Sequence, residues 1–313
     1  MNILQDLCEE LCVEPDVLMR FSATAPHRYK VYKIAKRNGK GTRTIAHPSK
    51  ELKNVQWCLL DMLKKLLPIS RSAMAYQKGI GIKDNAKVHV QSRYLLKMDF
   101  SNFFPSITPD LLFDVLSRKN IKFTNDEARL LRGLLFWKPV RNGGLILSIG
   151  APTSPLVSNS LLCRFDEKIH GVCVKNNVFY TRYADDLTFS TNEKGVLFEF
   201  PELVQGVLAS ELSGNITINH EKTVFSSKAH NRHVTGITLT NDSLLSIGRE
   251  RKRNISAAVH HYLTGRLTEE QIASLQGKIS FARHIEPSFI ARLEKKYGKN
   301  AISKLMSHRN AEC

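Results

Sequence analysis

Val178-Phe179-Tyr180-Thr181-Arg182-Tyr183-Ala184-Asp185-Asp186-Leu187-Thr188-Phe189-Ser190 is the stretch on which the fold turns. Apolar, aromatic and β-branched residues on both sides of Asp185-Asp186 read as two strands, and the centre reads as the tight turn of a hairpin. Two carboxylates at a hairpin tip are a place to hold a divalent cation. They are also the ordinary composition of a solvated turn, because Asp favours turns through side-chain to backbone hydrogen bonds. A third carboxylate separates the two readings. Asp99 closes the apolar run Tyr94-Leu95-Leu96-Lys97-Met98, a second strand-like segment, and the chain then heads through Phe103-Phe104 towards a helix at 105–110. Two strands that each deliver acid at one end make a metal cage.

Mg²⁺ takes near-octahedral oxygen ligation and keeps part of its shell for substrate phosphates, so one or two carboxylates per ion suit nucleotide chemistry. With two ions about 3.5–4 Å apart, one activates an attacking hydroxyl and the other steadies the leaving pyrophosphate. Asp99 and Asp185 are expected as the bridging ligands, with Asp186 as a weaker ligand or outer partner.

The rest of the chain is compatible with a polyanionic partner. Its 313 residues carry 46 Lys and Arg against 29 Asp and Glu, a net charge of +17, with basic concentrations at 28–43 and 249–253. Such an excess favours nucleic acid, although each basic residue alone reads equally as a solvated surface. A chain of this length and 42% hydrophobic content fits two or three packed subdomains. No apolar run is long enough to span a membrane and the N-terminus lacks a signal-peptide pattern, so a cytoplasmic protein without a membrane partner is expected. The six cysteines form no Cys-x-x-Cys pair and read as reduced, buried thiols, Cys8 and Cys12 sharing one helix face.

Along the chain, residues 1–25 read as helical. Two strands at 29–34 and 42–46 join through Lys36-Arg37-Asn38-Gly39-Lys40, a basic hairpin with an Asn-Gly turn. Helical spacing follows at 48–67, one or two helices at 110–135, and a hairpin around Arg141-Asn142-Gly143-Gly144. The small-residue loop Gly150-Ala151-Pro152-Thr153-Ser154-Pro155 leads into a helix at 156–169. A helix at 200–212, a strand at 216–218 and basic helices at 257–262, 268–285 and 288–297 complete the pattern.

In this order, Asp99 with Phe103-Phe104, the Gly150 to Pro155 loop and Tyr183-Ala184-Asp185-Asp186 resemble the palm of a reverse transcriptase. Asn85-Ala86-Lys87-Val88-His89 and Val234-Thr235-Gly236 resemble two further elements of the bacterial retron reverse transcriptases, and the likeness covers roughly residues 25–300. The resemblance implies an α+β right-hand polymerase: N-terminal helix and fingers at 1–92, a palm of antiparallel sheet and helices at 93–240, and a helical thumb at 241–313. It implies two Mg²⁺ ions on Asp99, Asp185 and Asp186, and Lys222 as a general acid towards pyrophosphate. Arg43 would contact the triphosphate, Gly150, Ala151 and Pro152 would line the nucleotide pocket, and the Phe104 ring would exclude a 2′-hydroxyl and so favour dNTPs. Asn85, His89, Val234, Thr235, Gly236, Arg249, Arg251, Lys252 and Arg253 would bind RNA, the basic residues through phosphates.

The family reading is an RNA-directed DNA polymerase. It copies part of its own structured noncoding RNA into branched RNA–DNA (msDNA), primed from an RNA 2′-hydroxyl, and acts in antiphage defence with an effector protein. No RNase H module is evident, so trimming of the template is expected from a host RNase H. Ile149 departs from the family, which often carries Gln there, and this bears on fidelity and processivity. The rivals are a reverse transcriptase of another bacterial type, group II intron-like or diversity-generating, and a non-catalytic RNA-binding protein on a polymerase scaffold. Against the intron type, the sequence leaves little room beyond the thumb.

Overall fold

The computed structural model describes residues 2–35 and 41–308. The N-terminal segment is two helices, α1 (Ile3–Leu11) and α2 (Pro15–Thr24). Cys12 ends the first in the left-handed region at φ +53°, and Pro15 opens the second, which its fixed φ suits. Cys12 is therefore exposed and shares no buried face with Cys8, contrary to expectation. Cys8, Cys163 and Cys173 are buried, Cys58 is half-buried, and these thiols are unpaired; Cys313 lies outside the described residues.

Strands β1 (Tyr29–Ala35) and β2 (Thr42–Pro48) pair antiparallel from Tyr29↔Pro48 to Ala35↔Thr42. The expected Asn-Gly turn and Lys40 fall outside the described residues. Helix α3 (Lys50–Leu66) starts at a Ser49 cap and buries Leu52, Leu59, Leu60 and Leu63 along one stripe.

Next come α4 (Ile82–His89), β3 (Tyr94–Asp99), α5 (Pro109–Ser117) and α6 (Asn125–Leu135), with a reciprocal Thr124–Glu127 capping box on α6. The short hairpin β4 (Phe136–Trp137) and β5 (Ile146–Leu147) precedes α7 (Ser154–Leu161) and α8 (Cys163–Lys175). The single helix expected at 156–169 is thus two, parted at Leu162, whose ψ of 0° leaves the helical range. Strands β6 (Phe179–Tyr183) and β7 (Asp186–Thr191), helix α9 (Phe200–Leu212) and strand β8 (Val224–Ser227) complete the central sheet region. The sheet runs β6-β7-β3-β8 with every neighbour antiparallel. No strand forms at 216–218; Ile218 makes a lone bridge to Phe100.

Alternation along β3 decides which face carries chemistry. Leu96 and Met98 point into the large core built from α1–α3 and α5–α9, whereas Leu95 points the other way, into a second core. Lys97 and Asp99 share the face of Leu95.

The second core gathers Ala86 and Val90 beside α4's C-terminal half with the C-terminal part of the chain. That part comprises β9 (Arg232–Val234), β10 (Ile237–Leu239), β11 (Leu245–Ser246), α10 (Arg249–Leu263), α11 (Glu269–Ile285), α12 (Pro287–Tyr297) and α13 (Lys299–Ser307). Packing therefore joins residues on both sides of 92 and of 240. The arrangement is α+β, and among the described residues no helix is long and apolar enough to cross a membrane.

Candidate active site

Strand register gathers the carboxylates. Asp99, the last residue of β3, lies directly opposite Asp186, the first residue of β7. Tyr183 pairs with the same Asp186 across the hairpin, so Ala184 and Asp185 form its two-residue loop. The Phe100 amide donates to the Asp185 carbonyl at 3.1 Å and the Asn219 amide to the Asp99 carbonyl at 2.8 Å, which pins three chain segments around the acids. Lys222 Nζ donates to Asp99 Oδ1 at 2.6 Å.

The electrostatics follow from crowding like charges where water is scarce. Burial, then the charge of Asp185, pushes the Asp186 carboxyl up to about 6, with Lys97 opposing. Burial, then Asp99, likewise raises Asp185, while Lys222 and Arg43 counteract. Asp185 and Asp186 therefore resist ionisation, and a cation beside them favours it. Among the described residues no group of three or more His, Cys, Asp or Glu side chains is already drawn together as a metal site. The three carboxylates are an all-oxygen donor set with Lys222 as the one cation paired to them among the described residues, a donor chemistry that fits a hard divalent ion sharing its shell with phosphates.

The turn needs support, because Ala184 sits at φ +58°, a conformation residues with a Cβ avoid. Arg182 provides it from a fully buried position. Its Nη1 donates to the Ala184 carbonyl at 2.9 Å and to Asn159 Oδ1 at 3.1 Å, while Nε and Nη2 grip Asp166 at 2.9 and 2.7 Å. Tyr180 adds its hydroxyl to Asp166 at 2.8 Å.

The small-residue loop is laced to β2. The Ala46 amide donates to the Ile149 carbonyl at 3.0 Å, and Gly150 adopts φ +131° so close to Ala46 that a Cβ there would stand 3.0 Å from its carbonyl oxygen. Only glycine meets both demands without strain. Ile149 thus serves through its backbone, whatever its side chain does. Ala151 is buried and Pro152 half-buried. Arg43, exposed on the same β2, reaches the field of Asp185. Phe104 is half-buried, with its ring edge-on to buried Phe103 at 5.3 Å.

The residues expected to bind RNA divide. Asn85 and His89 are fully buried and offer a nucleic acid no surface. They instead lock α4 to the sheet: His89 bonds Ser190 Oγ at 2.8 Å and Thr181 Oγ1 at 2.7 Å, and Thr181 donates to Asn85 Oδ1 at 2.6 Å. Val234 is likewise buried. Thr235 and Gly236, both at positive φ, make the two-residue β9–β10 turn, the type I′ arrangement that matches strand twist. Arg251 donates to the Gly236 carbonyl at 2.9 Å, and Lys252 is paired with Glu286 at 2.7 Å. Arg249 and Arg253 remain exposed on α10.

Burial alone pushes His89 down to about 3 from its ordinary 6.5. Between those values the unfolded chain takes up a proton that the native chain refuses. Stability is therefore intact above about pH 6.5 and declines as pH falls, by up to about 1.4 kcal/mol per pH unit. Urea unfolding of wild type and His89→Gln should show the difference between them shifting by about 2 kcal/mol from pH 7 to 5. A difference independent of pH overturns the assignment.

Sequence reasoning missed Arg182, Asp166, Asn159 and Lys97. The available signal was a charged residue, Arg182, inside a strand otherwise destined for the interior, which demands a buried partner.

Comparison with known proteins gives the family. A family model described as reverse transcriptase (RNA-dependent DNA polymerase) matches residues 34–239. Fold, site and family thus define an RNA-directed DNA polymerase built as a polymerase right hand. Retron Ec83 reverse transcriptase of Escherichia coli is 48% identical over 295 residues, covering 94% of each chain. Retron Ec86 reverse transcriptase of Escherichia coli is 31% identical over 313 residues, covering 97% of this chain and 93% of the relative. The chain belongs to the retron reverse transcriptases. Among solved structures, telomerase from Candida albicans, determined with a fragment of telomeric RNA, matches with a TM-score of 0.51 at 11% identity. That match covers 95% of this chain and 59% of the telomerase chain, and it concerns the fold alone.

Proposed function

We propose that this protein copies part of its own structured noncoding RNA into DNA, starting from an RNA 2′-hydroxyl and leaving branched RNA–DNA, on two Mg²⁺ ions held by Asp99, Asp185 and Asp186. The observation that carries the chemistry is the β3–β7 register, which sets Asp99 against Asp186 with Asp185 in the adjoining loop. The retron product is supported by the 48% identity that extends over nearly the whole chain.

When bound, the ions supply an activated hydroxyl and neutralise charge on the departing pyrophosphate. The chain's own residues do the rest. Arg43 attracts the triphosphate on the hairpin side, and the Gly150-Ala151-Pro152 backbone lines the nucleotide pocket. Phe104 lies five residues beyond Asp99, where its ring bars a 2′-hydroxyl. Lys222 donates to one oxygen of Asp99 and would supply the proton that the departing pyrophosphate takes up. Arg249 and Arg253 take RNA phosphates, with Thr235, Gly236 and Arg251 as the brace that aims α10. In this scheme residues 1–92 act as fingers, 93–240 as palm and 241–313 as thumb. Its cytoplasmic setting, a host RNase H that trims the template, and an effector protein in antiphage defence complete the reading.

Expression with the RNA encoded beside the gene, followed by sequencing of the nucleic acid that copurifies, tests the product. Branched RNA–DNA is expected. A protein that extends primers in vitro yet carries only linear nucleic acid sinks the retron chemistry and leaves the polymerase.

A further inference from the structure

The carboxylates, Arg43 and Phe104 account for the phosphates and sugar of a nucleotide, but none of them faces a base. We propose that Tyr76 is a stacking platform for a nucleobase at the polymerisation site. The inference rests on the polymerase reading and deepens it.

Residues 70–80 connect α3 to α4, and their middle is anchored on the outer edge of β6. Arg182 donates its amide to the Ser72 carbonyl at 2.7 Å and accepts from the Met74 amide at 2.7 Å, so that Ala73 forms a parallel bridge with it. Asn159 Nδ2 holds the Ala75 carbonyl at 3.0 Å, and the Gln77 side chain donates back to the Ala73 carbonyl. Ala73 and Ala75 are buried. Tyr76 follows this fixed backbone directly, yet 54% of its surface is exposed.

Its backbone is at φ +64°, in a region that bulky side chains avoid. Core packing does not account for that strain, because the ring hides little from water. Its place in the chain is the better guide. Ala73, three residues back, bridges to Arg182, and Arg182 Nη1 holds the Ala184 carbonyl at 2.9 Å, so Tyr76 leaves a segment fixed to the strand end that carries the catalytic turn. Asp185 and Arg43 both act electrostatically on its hydroxyl, in keeping with that placement.

The same side chains tie the platform to the turn. Asn159 bonds both Ala75 and Arg182, and Arg182 bonds the Ala184 carbonyl. A base resting on Tyr76 is therefore held by the scaffold that holds Asp185. An aromatic face also suits the task chemically: every base has a π-face, so stacking supports synthesis on any sequence where a hydrogen-bonding side chain would select.

Tyr76→Ala and Tyr76→Phe, assayed on poly(rA) primed with oligo(dT), test the assignment. The alanine variant should raise the KM for dTTP or the Kd for the primed template by roughly 5- to 100-fold. A change in KM identifies the incoming base as the occupant, and a change in Kd identifies the template–primer. Tyr76→Phe keeps the π-face and should stay within about twofold on both. Quenching of 2-aminopurine at the occupied position should disappear with alanine and persist with phenylalanine. If the alanine variant melts early, Tyr76→Leu, apolar but without a π-face, replaces it. Unchanged KM and Kd in the variant lacking the ring, or equal damage in Tyr76→Phe, overturns the proposal. An inactive wild type would instead strike at the polymerase reading.

Discussion

Asp185→Asn is expected to abolish primer extension while leaving RNA binding within about twofold. The substitution keeps the side chain's size and changes only its charge, at a position where Asp99 and Asp186 already crowd the same space. Losing an anionic ligand forfeits several kcal/mol of transition-state stabilisation, and each 1.36 kcal/mol is tenfold, so the rate should fall by about 10³-fold or more. The exposed basic residues proposed to take RNA, Arg249 and Arg253, lie far from this carboxyl in sequence and keep their charge. A second consequence runs the other way. Because burial and Asp99 raise the Asp185 carboxyl, its ionised form weakens the fold above its ordinary titration range when no cation is present. Asparagine removes that penalty, so without Mg²⁺ the variant should unfold at a higher urea concentration than wild type near neutral pH. Extension assays across a Mg²⁺ titration, filter binding of RNA and urea melts measure the three effects. Undiminished extension would falsify the metal assignment.

Arg182→Met should be the most damaging single change away from the carboxylates. Both Arg182 and Asp166 are fully buried, and the arginine also supports the Asn159 and Ala184 oxygens. Removing it strands the Asp166 carboxylate with only the Tyr180 hydroxyl, and breaking such a pair costs about 3–5 kcal/mol. The arithmetic of a buried pair makes a sharper test available. Adding Asp166→Asn to Arg182→Met removes the orphaned charge, so the double variant should recover part of the stability lost by the single one. Extension should stay low in the double variant, because the Ala184 carbonyl still lacks its donor. A loss below about 1 kcal/mol in Arg182→Met, read from urea unfolding, contradicts the buried-pair account.

Much of the site was legible because its parts lie at the ends of strongly patterned segments. Apolar runs that terminate in acid identified Asp99, Asp185 and Asp186, and helical spacing gave α3 and α9 nearly to the residue. Register was not legible, since nothing local in 94–99 or 186–191 states which residues will pair. The Asn85 to His89 element was recognised as a motif and misassigned as a contact. Asparagine and histidine look like surface residues until Thr181 and Ser190 arrive from nearly a hundred positions away to bond both ring nitrogens of His89 and the Oδ1 of Asn85. Ile216 and Ile218 are buried in alternation as a strand would be, yet only Ile218 bridges to Phe100. Helix α13 went unread because it follows α12 after the single residue Gly298, with no loop to announce it.

Helix α4 belongs to two masters. Asn85 and His89 bind it to β6 and β7, whereas Ala86, with Val90 just beyond the helix, joins the core made by the C-terminal strands and helices. Leu95 on β3 is drawn into the same company. The segment from Arg232 onward is consequently no detachable module: a chain truncated before it would uncover Ala86, Val90 and Leu95 on the very face that carries Asp99. In engineering terms, fusions and domain swaps that cut ahead of Arg232 leave the sheet that carries Asp99 with a raw apolar side. A chimera that carries α4 across together with its C-terminal partners keeps that side covered.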